Sequence, residues 1–335
     1  MSTNVRVKRI VALSVDDNYV WPLLSLCYSL WKNSDRDFSV YVANVNGTLS
    51  SMNQKLIESV LKTMRLPLRV VEAQIPPDVK TDSRISIAAY GRLWMADNLK
   101  EDFIYLDADS LAFEGWQEVF ELIPKLKSNP RYLLGASPAK SNKGLNWESE
   151  YLNTRLLAFH STCLIISREN WKTNTKKFGK DSWYAVAKRA NELNLLAHDQ
   201  DTLQFMAQGD FLHVPKAVFE IPIRPDNRAR IISAGSWTKP WTIDEKDLPV
   251  KIYEDLFDSR RTEGAYYLDE YRAFKLNELE FLEFLKATNL QMFEKVFSLR
   301  NMLQTYNPPF LLRVKFHLIL FFEKLLALFH DRKIA

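Results

Sequence analysis

The sequence predicts an α/β protein: a mostly parallel sheet flanked by helices on both faces, followed by a helical C-terminal extension. Three observations carry that expectation. Short apolar runs alternate with amphipathic stretches along the first two thirds of the chain, the pattern of strand–helix–strand units. One such run, Phe103-Ile104-Tyr105-Leu106, ends in two carboxylates one residue apart, Asp107 and Asp109. Past residue 255 the chain becomes charged, Leu- and Phe-rich and helical in pattern, broken by Asn307-Pro308-Pro309. Residues 1–255 are therefore read as a catalytic body and 256–335 as the extension.

Taken in order, residues 9–15 read as the first strand, closing on Asp16-Asp17-Asn18-Tyr19. Residues 21–31 have apolar positions at helical spacing, and 38–45 form a second strand. Residues 50–64 are an amphipathic helix with Ser50 as its cap. A third strand at 68–71 and a helix at 85–98, carrying Tyr90 and Arg92, lead into the 103–106 run. That run is short, apolar, aromatic and bounded by charge, which favours a buried strand. Further strands are expected at 132–136 and 157–166, and helical sequence over 170–195. His198-Asp199-Gln200-Asp201 opens another helix, where acidic residues in the first turn suit the positive end of the helix dipole. Residues 211–214 and 229–233 read as short late strands leading to Gly235-Ser236-Trp237-Thr238-Lys239-Pro240-Trp241.

Bulk composition narrows the classes. The chain has 335 residues, is 47% hydrophobic and 26% charged, and carries a formal charge of +4. That charge is too slight for a dedicated nucleic-acid binder, which concentrates basic residues on one face. The two cysteines, Cys27 and Cys163, lie in apolar contexts without metal-ligand spacing and read as buried thiols in a reducing, cytoplasmic compartment. No stretch reaches the roughly 18 uninterrupted apolar residues that span a bilayer.

An Asp-x-Asp at the end of a central strand lies where open α/β sheets bind ligands. Two carboxylates so close repel, and a hard divalent cation that also holds phosphate oxygens is the natural counter-charge. The same spacing recurs at Asp35/Asp37 and Asp199/Asp201, but neither pair follows a strand-like run.

Four motifs occur in order: Val15-Asp16-Asp17-Asn18-Tyr19, Tyr90-Gly91-Arg92-Leu93, the 103–109 segment, and His198-Asp199-Gln200-Asp201-Thr202-Leu203 followed by Gly235 and Lys239-Pro240-Trp241. Together they resemble those of the family 8 glycosyltransferases, retaining enzymes with the GT-A fold, over roughly residues 9 to 241. The resemblance implies a UDP-sugar donor and a saccharide or lipid-linked acceptor. It implies that Tyr19 stacks on the base while Asp16 and Asn18 bond base or ribose, and that Arg92 contacts the donor. Asp107 and Asp109 would hold Mn²⁺ or Mg²⁺ and, through it, the diphosphate. Lys239 would touch the leaving diphosphate, with the backbone of Gly235 approaching closely. Gln200 would lie under the β-face of the sugar, and Asp199 would position its hydroxyls. Glutamine is a poor nucleophile, so a front-face displacement is favoured over a stable covalent intermediate. Each residue also has a plainer reading: a capped turn for 16–19, a solvated residue for Arg92 or Lys239, a helix start for 199–201.

The chain departs from the family in two places. The His that the family places three residues before the glycine, as a third metal ligand, is Ile232 here, or Ser233 if the turn is one residue shorter. None of the five histidines, His160, His198, His213, His317 and His330, fills that slot. Gly135-Ala136-Ser137-Pro138 also lacks the acidic residue often found there in relatives. A scaffold that kept the fold and lost turnover is the alternative these departures raise. A nucleotidyltransferase is a weaker one, since a Gly-rich basic loop after the first strand is missing.

In the extension, residues 310–329 are mostly apolar, with Arg313, His317 and Lys324 in one narrow helical sector. The segment reads either as an interfacial helix on an anionic inner leaflet or as a helix packed on the body or on another subunit. Family analogy favours the membrane contact, hence a cytoplasmic protein peripheral to the inner face.

Overall fold

The computed structural model describes residues 8–81, 85–139, 159–179, 182–192, 198–221, 229–234, 239 and 264–305. In chain order its strands are β1 (Ile10–Ser14), β2 (Ser39–Val45), β3 (Leu68–Ala73), β4 (Phe103–Leu106), β5 (Ser110–Ala112), β6 (Gly135–Pro138), β7 (Phe159–Ile166), β8 (Leu212–His213), β9 (Phe219–Glu220) and β10 (Ile231–Ser233). Its α-helices are α1 (Val20–Lys32), α2 (Ser51–Thr63), α3 (Gly91–Asn98), α4 (Leu122–Lys127), α5 (Arg168–Thr175), α6 (Ser182–Glu192), α7 (His198–Ala207), α8 (Gly264–Thr288) and α9 (Leu290–Thr305).

The large sheet has the order β3-β2-β1-β4-β7-β6-β8. Strands β3, β2, β1 and β4 are parallel neighbours; β7 runs antiparallel to both β4 and β6. The chain steps outward from β1 to β2 and β3, then crosses back to lay β4 on the other side of β1. The strand order therefore reverses between β1 and β4, and the carboxyl ends of those two strands flank the crevice where such folds take ligands. Those ends are Asp16–Tyr19 and Asp107–Asp109. A second sheet of three strands, β5-β10-β9, stands beside this crevice.

Strand alternation divides the core into two layers. Val11, Leu13, Ile104 and Leu106 face the side covered by α1, α2 and the C-terminal helices, while Ile10, Ala12, Phe103 and Tyr105 face α3, α6 and α7. Helix α3 approaches β1 so closely that a Cβ on Gly91 would lie 2.0 Å from Ser14 Oγ and 2.7 Å from Ser14 Cβ. The packing thus explains the glycine beside Arg92.

Most expected elements form, with differences at their ends. The 85–98 helix begins as a 3-10 turn at Ile87–Tyr90, capped by Ser86, before α3 proper. The strand expected at 132–136 starts only at Gly135, because the amides of Asn170 and Asn174 occupy the Tyr132 carbonyl and hold 129–132 as a turn. The 170–195 helical region breaks at Gly179, whose φ of 82° is left-handed.

The C-terminal helices pack on α1. Trp21 Nε1 donates to Glu278 Oε1 at 2.8 Å, and Asn277 Nδ2 donates to the Ser25 carbonyl and hydroxyl. Phe281 lies against Trp21 and Tyr28. Glu278, nearly fully buried, also pairs with Lys275 at 3.2 Å and Arg300 at 3.6 Å. Among the described residues no helix is long and apolar enough to cross a membrane. The 310–329 segment lies outside the described residues.

Two substitutions test this packing. Gly91→Ala is expected to lower stability by about 1–3 kcal/mol, the usual cost of overpacking, read as a reduced urea midpoint. Glu278→Ala strips the carboxylate from buried Lys275, from half-buried Arg300 and from Trp21, and the expected loss is about 3–5 kcal/mol. A thermal midpoint within a degree of wild type would count against that contact's holding the helices to the body.

Candidate active site

The turn after β1 splits its two carboxylates between structure and site. Asp17 Oδ1 accepts from Ser50 N and Asn53 Nδ2, both at 2.8 Å, so this carboxylate anchors the start of α2. Asp16 Oδ1 accepts from Asn18 N at 2.9 Å, which shapes the turn that presents Asn18 and Tyr19. Burial raises the Tyr19 phenol above its usual range, and the carboxylates of Asp109, Asp107 and Asp16 add to the effect. Tyr19 is thus close to the carboxylate pair from the next strand.

Arg92, from α3, is the buried centre of the site. Its Nη2 donates to Asp107 Oδ1 at 2.7 Å, and its Nη1 to the Ser161 carbonyl and hydroxyl at 2.7 and 2.8 Å. Nε is 3.0 Å from the Ala89 carbonyl and 3.1 Å from Asp199 Oδ2. The guanidinium carbon lies 4.6 Å from the centre of the Tyr105 ring. Burial would depress its pKa, but Asp107 and Asp199 more than offset that and keep it charged.

Asp107 is held by its backbone too, since its N–H donates to the Thr162 carbonyl at 2.9 Å. Burial pushes its carboxyl up to about 7; Arg92 opposes the shift, and Asp109 and Asp199 reinforce it. The same burial raises Asp199, again against Arg92.

Helix α7 delivers Asp199 and Gln200 against β7. Gln200 Oε1 accepts from Ser161 N at 3.1 Å, and Gln204 Nε2 donates to the Phe159 carbonyl at 2.8 Å. Strand β10 delivers the last group. It pairs antiparallel with β5, placing Ser233 opposite Ser110, and Ala234 N donates to the Asp109 carbonyl at 2.8 Å. Ser233 Oγ lies 3.2 Å from Asp109 Oδ1, and Lys239 Nζ lies 2.7 Å from both Asp109 Oδ2 and the Ala234 carbonyl. Of the two positions weighed for the missing His, Ser233 is the one whose side chain reaches the carboxylate pair.

The structure therefore brings Tyr19, Arg92, Asp107, Asp109, Asp199, Gln200 and Lys239 together, with Asp16 close by; Gly235 lies outside the described residues. Sequence reasoning passed over Ser161, which joins Arg92 to Gln200. A small hydroxyl residue inside the apolar 157–166 run was the available signal. It also passed over β5, whose three residues are too few to show a period.

The donor set suits a hard divalent ion held jointly with a ligand. Asp107 and Asp109 carry the oxygen chemistry that Mn²⁺ and Mg²⁺ prefer. Among the described residues no group of three or more His, Cys, Asp or Glu can hold a metal, so the remaining ligands would come from Ser233, water and the bound molecule.

The fold is of the GT-A type. No family model and no curated protein matches the chain. Among solved structures it is similar to the galactosyltransferase LgtC in complex with donor and acceptor sugar analogs, with TM-score 0.54 and 17% identity, covering 74% of this chain and 94% of that one. It is similar to the glycosyltransferase GlyE of Streptococcus pneumoniae TIGR4 (TM-score 0.51, 15% identity), covering 83% of this chain and 64% of GlyE. It is also similar to the bifunctional glycosyltransferase WbbM (TM-score 0.52, 14% identity), where 84% of this chain matches 52% of the other.

Arg92→Met keeps the length of the side chain and removes the charge among three carboxylates. The expected cost is about 3–5 kcal/mol of folding stability, greatest at pH 8, where the carboxylates are ionised. An unchanged unfolding midpoint at that pH would contradict the central place given to Arg92.

Proposed function

We propose that the protein is a retaining glycosyltransferase that moves a hexose from a UDP-sugar to a hydroxyl of a saccharide or glycolipid acceptor with help from a divalent cation. The observation that carries this reading is the convergence of the four motifs on one crevice, at the strand-order reversal of a GT-A sheet. Tyr19 offers a ring to the uracil, and Asp16 and Asn18 offer hydrogen bonds to base or ribose. Asp107 and Asp109 would hold Mn²⁺ or Mg²⁺, which when bound neutralises charge on the departing diphosphate.

The chain's own residues do the rest. Lys239 supplies a cation to the diphosphate, and Asp199 orients donor hydroxyls from the start of α7. Gln200, held by Ser161, places its amide beneath the sugar. The acceptor oxygen bonds to the anomeric carbon on the face from which the diphosphate oxygen leaves, and the acceptor's proton passes to that leaving oxygen. Support for retention and for UDP is the motif resemblance. Support for a lipid-linked acceptor, and for contact with an anionic inner leaflet, is the apolar 310–329 sequence.

A nucleotide-sugar binding protein without turnover is the second reading, favoured by Ser233 at the slot where the family has His. Calorimetric titration of UDP with Mn²⁺, then with EDTA, tests the donor site. Binding is expected only with Mn²⁺ and is expected to vanish in Asp109→Ala; unchanged affinity in that variant removes the assigned role. Release of hexose from a UDP-hexose panel separates the two readings, because a binding protein releases none. Truncation after Asn307 is expected to shift the protein from the membrane to the soluble fraction.

A further inference from the structure

The two cations of the site are held very differently. Arg92 is buried and locked by oxygens from the 3-10 turn before α3, the residue after β4, β7 and α7, so it cannot leave without breaking the core. Lys239 follows β10 by six residues and reaches back on a flexible four-carbon stem, with 22% of its side-chain surface exposed. Its ammonium touches Asp109 Oδ2, an oxygen that a cation shared by Asp107 and Asp109 would use.

An ammonium and a divalent ion on one carboxylate repel each other strongly at such distances. Among the described residues the cluster sets three carboxylates, Asp107, Asp109 and Asp199, against two cations, Arg92 and Lys239. An incoming diphosphate adds further negative charge, which positive charge entering with it offsets. Both demands are met together if Lys239 turns from Asp109 to the diphosphate as the divalent ion takes its place.

We propose that Lys239 is a resident stand-in for the divalent cation: its ammonium occupies Asp109 in the nucleotide-free site, keeps free metal ions off the carboxylate pair, and transfers to the diphosphate when nucleotide and metal bind together. The proposal rests on the nucleotide-sugar reading of the site and adds a rule to it. Metal affinity is low without nucleotide and rises with it, and by linkage nucleotide affinity depends equally on metal. The missing His fits the rule, since it leaves fewer protein ligands to bind a metal without nucleotide.

The test is Mn²⁺ binding to the nucleotide-free full-length protein, followed by the electron paramagnetic resonance signal of free Mn²⁺. Lys239→Met is expected to bind Mn²⁺ about tenfold tighter than wild type or better, the usual size of a coupling between sites. The same variant is expected to bind UDP more weakly at saturating Mn²⁺, so the two affinities move in opposite directions. Lys239→Arg keeps a cation and is expected to leave Mn²⁺ binding weak; Lys239→Gln replaces the Met variant if that one fails to fold. Unchanged or weaker Mn²⁺ binding in the neutral variants, with UDP still bound by wild type, overturns the stand-in and leaves the donor site standing. Failure of wild type to bind UDP under any condition overturns both.

Discussion

The Arg92 guanidinium, set between Asp107 and Asp199 and bonded to Ser161, is the contact on which the rest of the site depends. It joins the consecutive elements α3 and β4 to β7 and α7, which come about 70 and 110 residues later in the chain. Without a charge at its centre, three carboxylates could not share so small and dry a space. Only an arginine presents enough donors in one plane to serve all these acceptors while stacking on Tyr105. The glycine before it has a matching reason, since Arg92 can reach inward only if α3 lies directly on β1 at Ser14.

The carboxylates form two pairs with different freedom. Asp107 is served by a cation built into the core, and Asp109 by Lys239, whose side chain is partly exposed. The small sheet creates the second pair, because β10 zips onto β5 and brings Ser233 and Lys239 to the far side of Asp109. A strand of three residues thus has a large consequence for the chemistry: it sets Ser233 and, through Lys239, a cation against Asp109.

The C-terminal helices belong to the same physical unit as the sheet over the described residues. Glu278 is buried with Trp21, Lys275 and Arg300, and the aromatic faces of Trp21, Tyr28 and Phe281 close the layer. Helix α1 is apolar nearly all round because it is covered on one side by the sheet and on the other by α8. Its sequence, with Trp21, Tyr28 and Trp31 within one sector of the helix and Leu23, Leu24 and Leu30 among the other apolar positions, carried that information without naming the partner.

Local pattern was enough for the sheet order's ingredients and for most of the site. Apolar runs of strand length, amphipathic stretches of helix length and the capping residue Ser50 are short-range signals, and most elements formed close to where they pointed. Asp107, Asp109, Arg92, Asp199, Gln200 and Lys239 stood out through the ordered motifs: Asp107 and Asp109 follow a strand-like run and Asp199 and Gln200 open a helix, while Arg92 and Lys239 rested on the motif resemblance. Partnership was not legible in that way. That Asp17 anchors α2 while Asp16 shapes the turn, that Ser161 links Arg92 to Gln200, and that Ser233 and not Ile232 reaches Asp109 all follow from register and long-range packing. A shift of one residue in the β5–β10 pairing would exchange Ser233 for Ile232, and neighbouring residues alone do not carry that register.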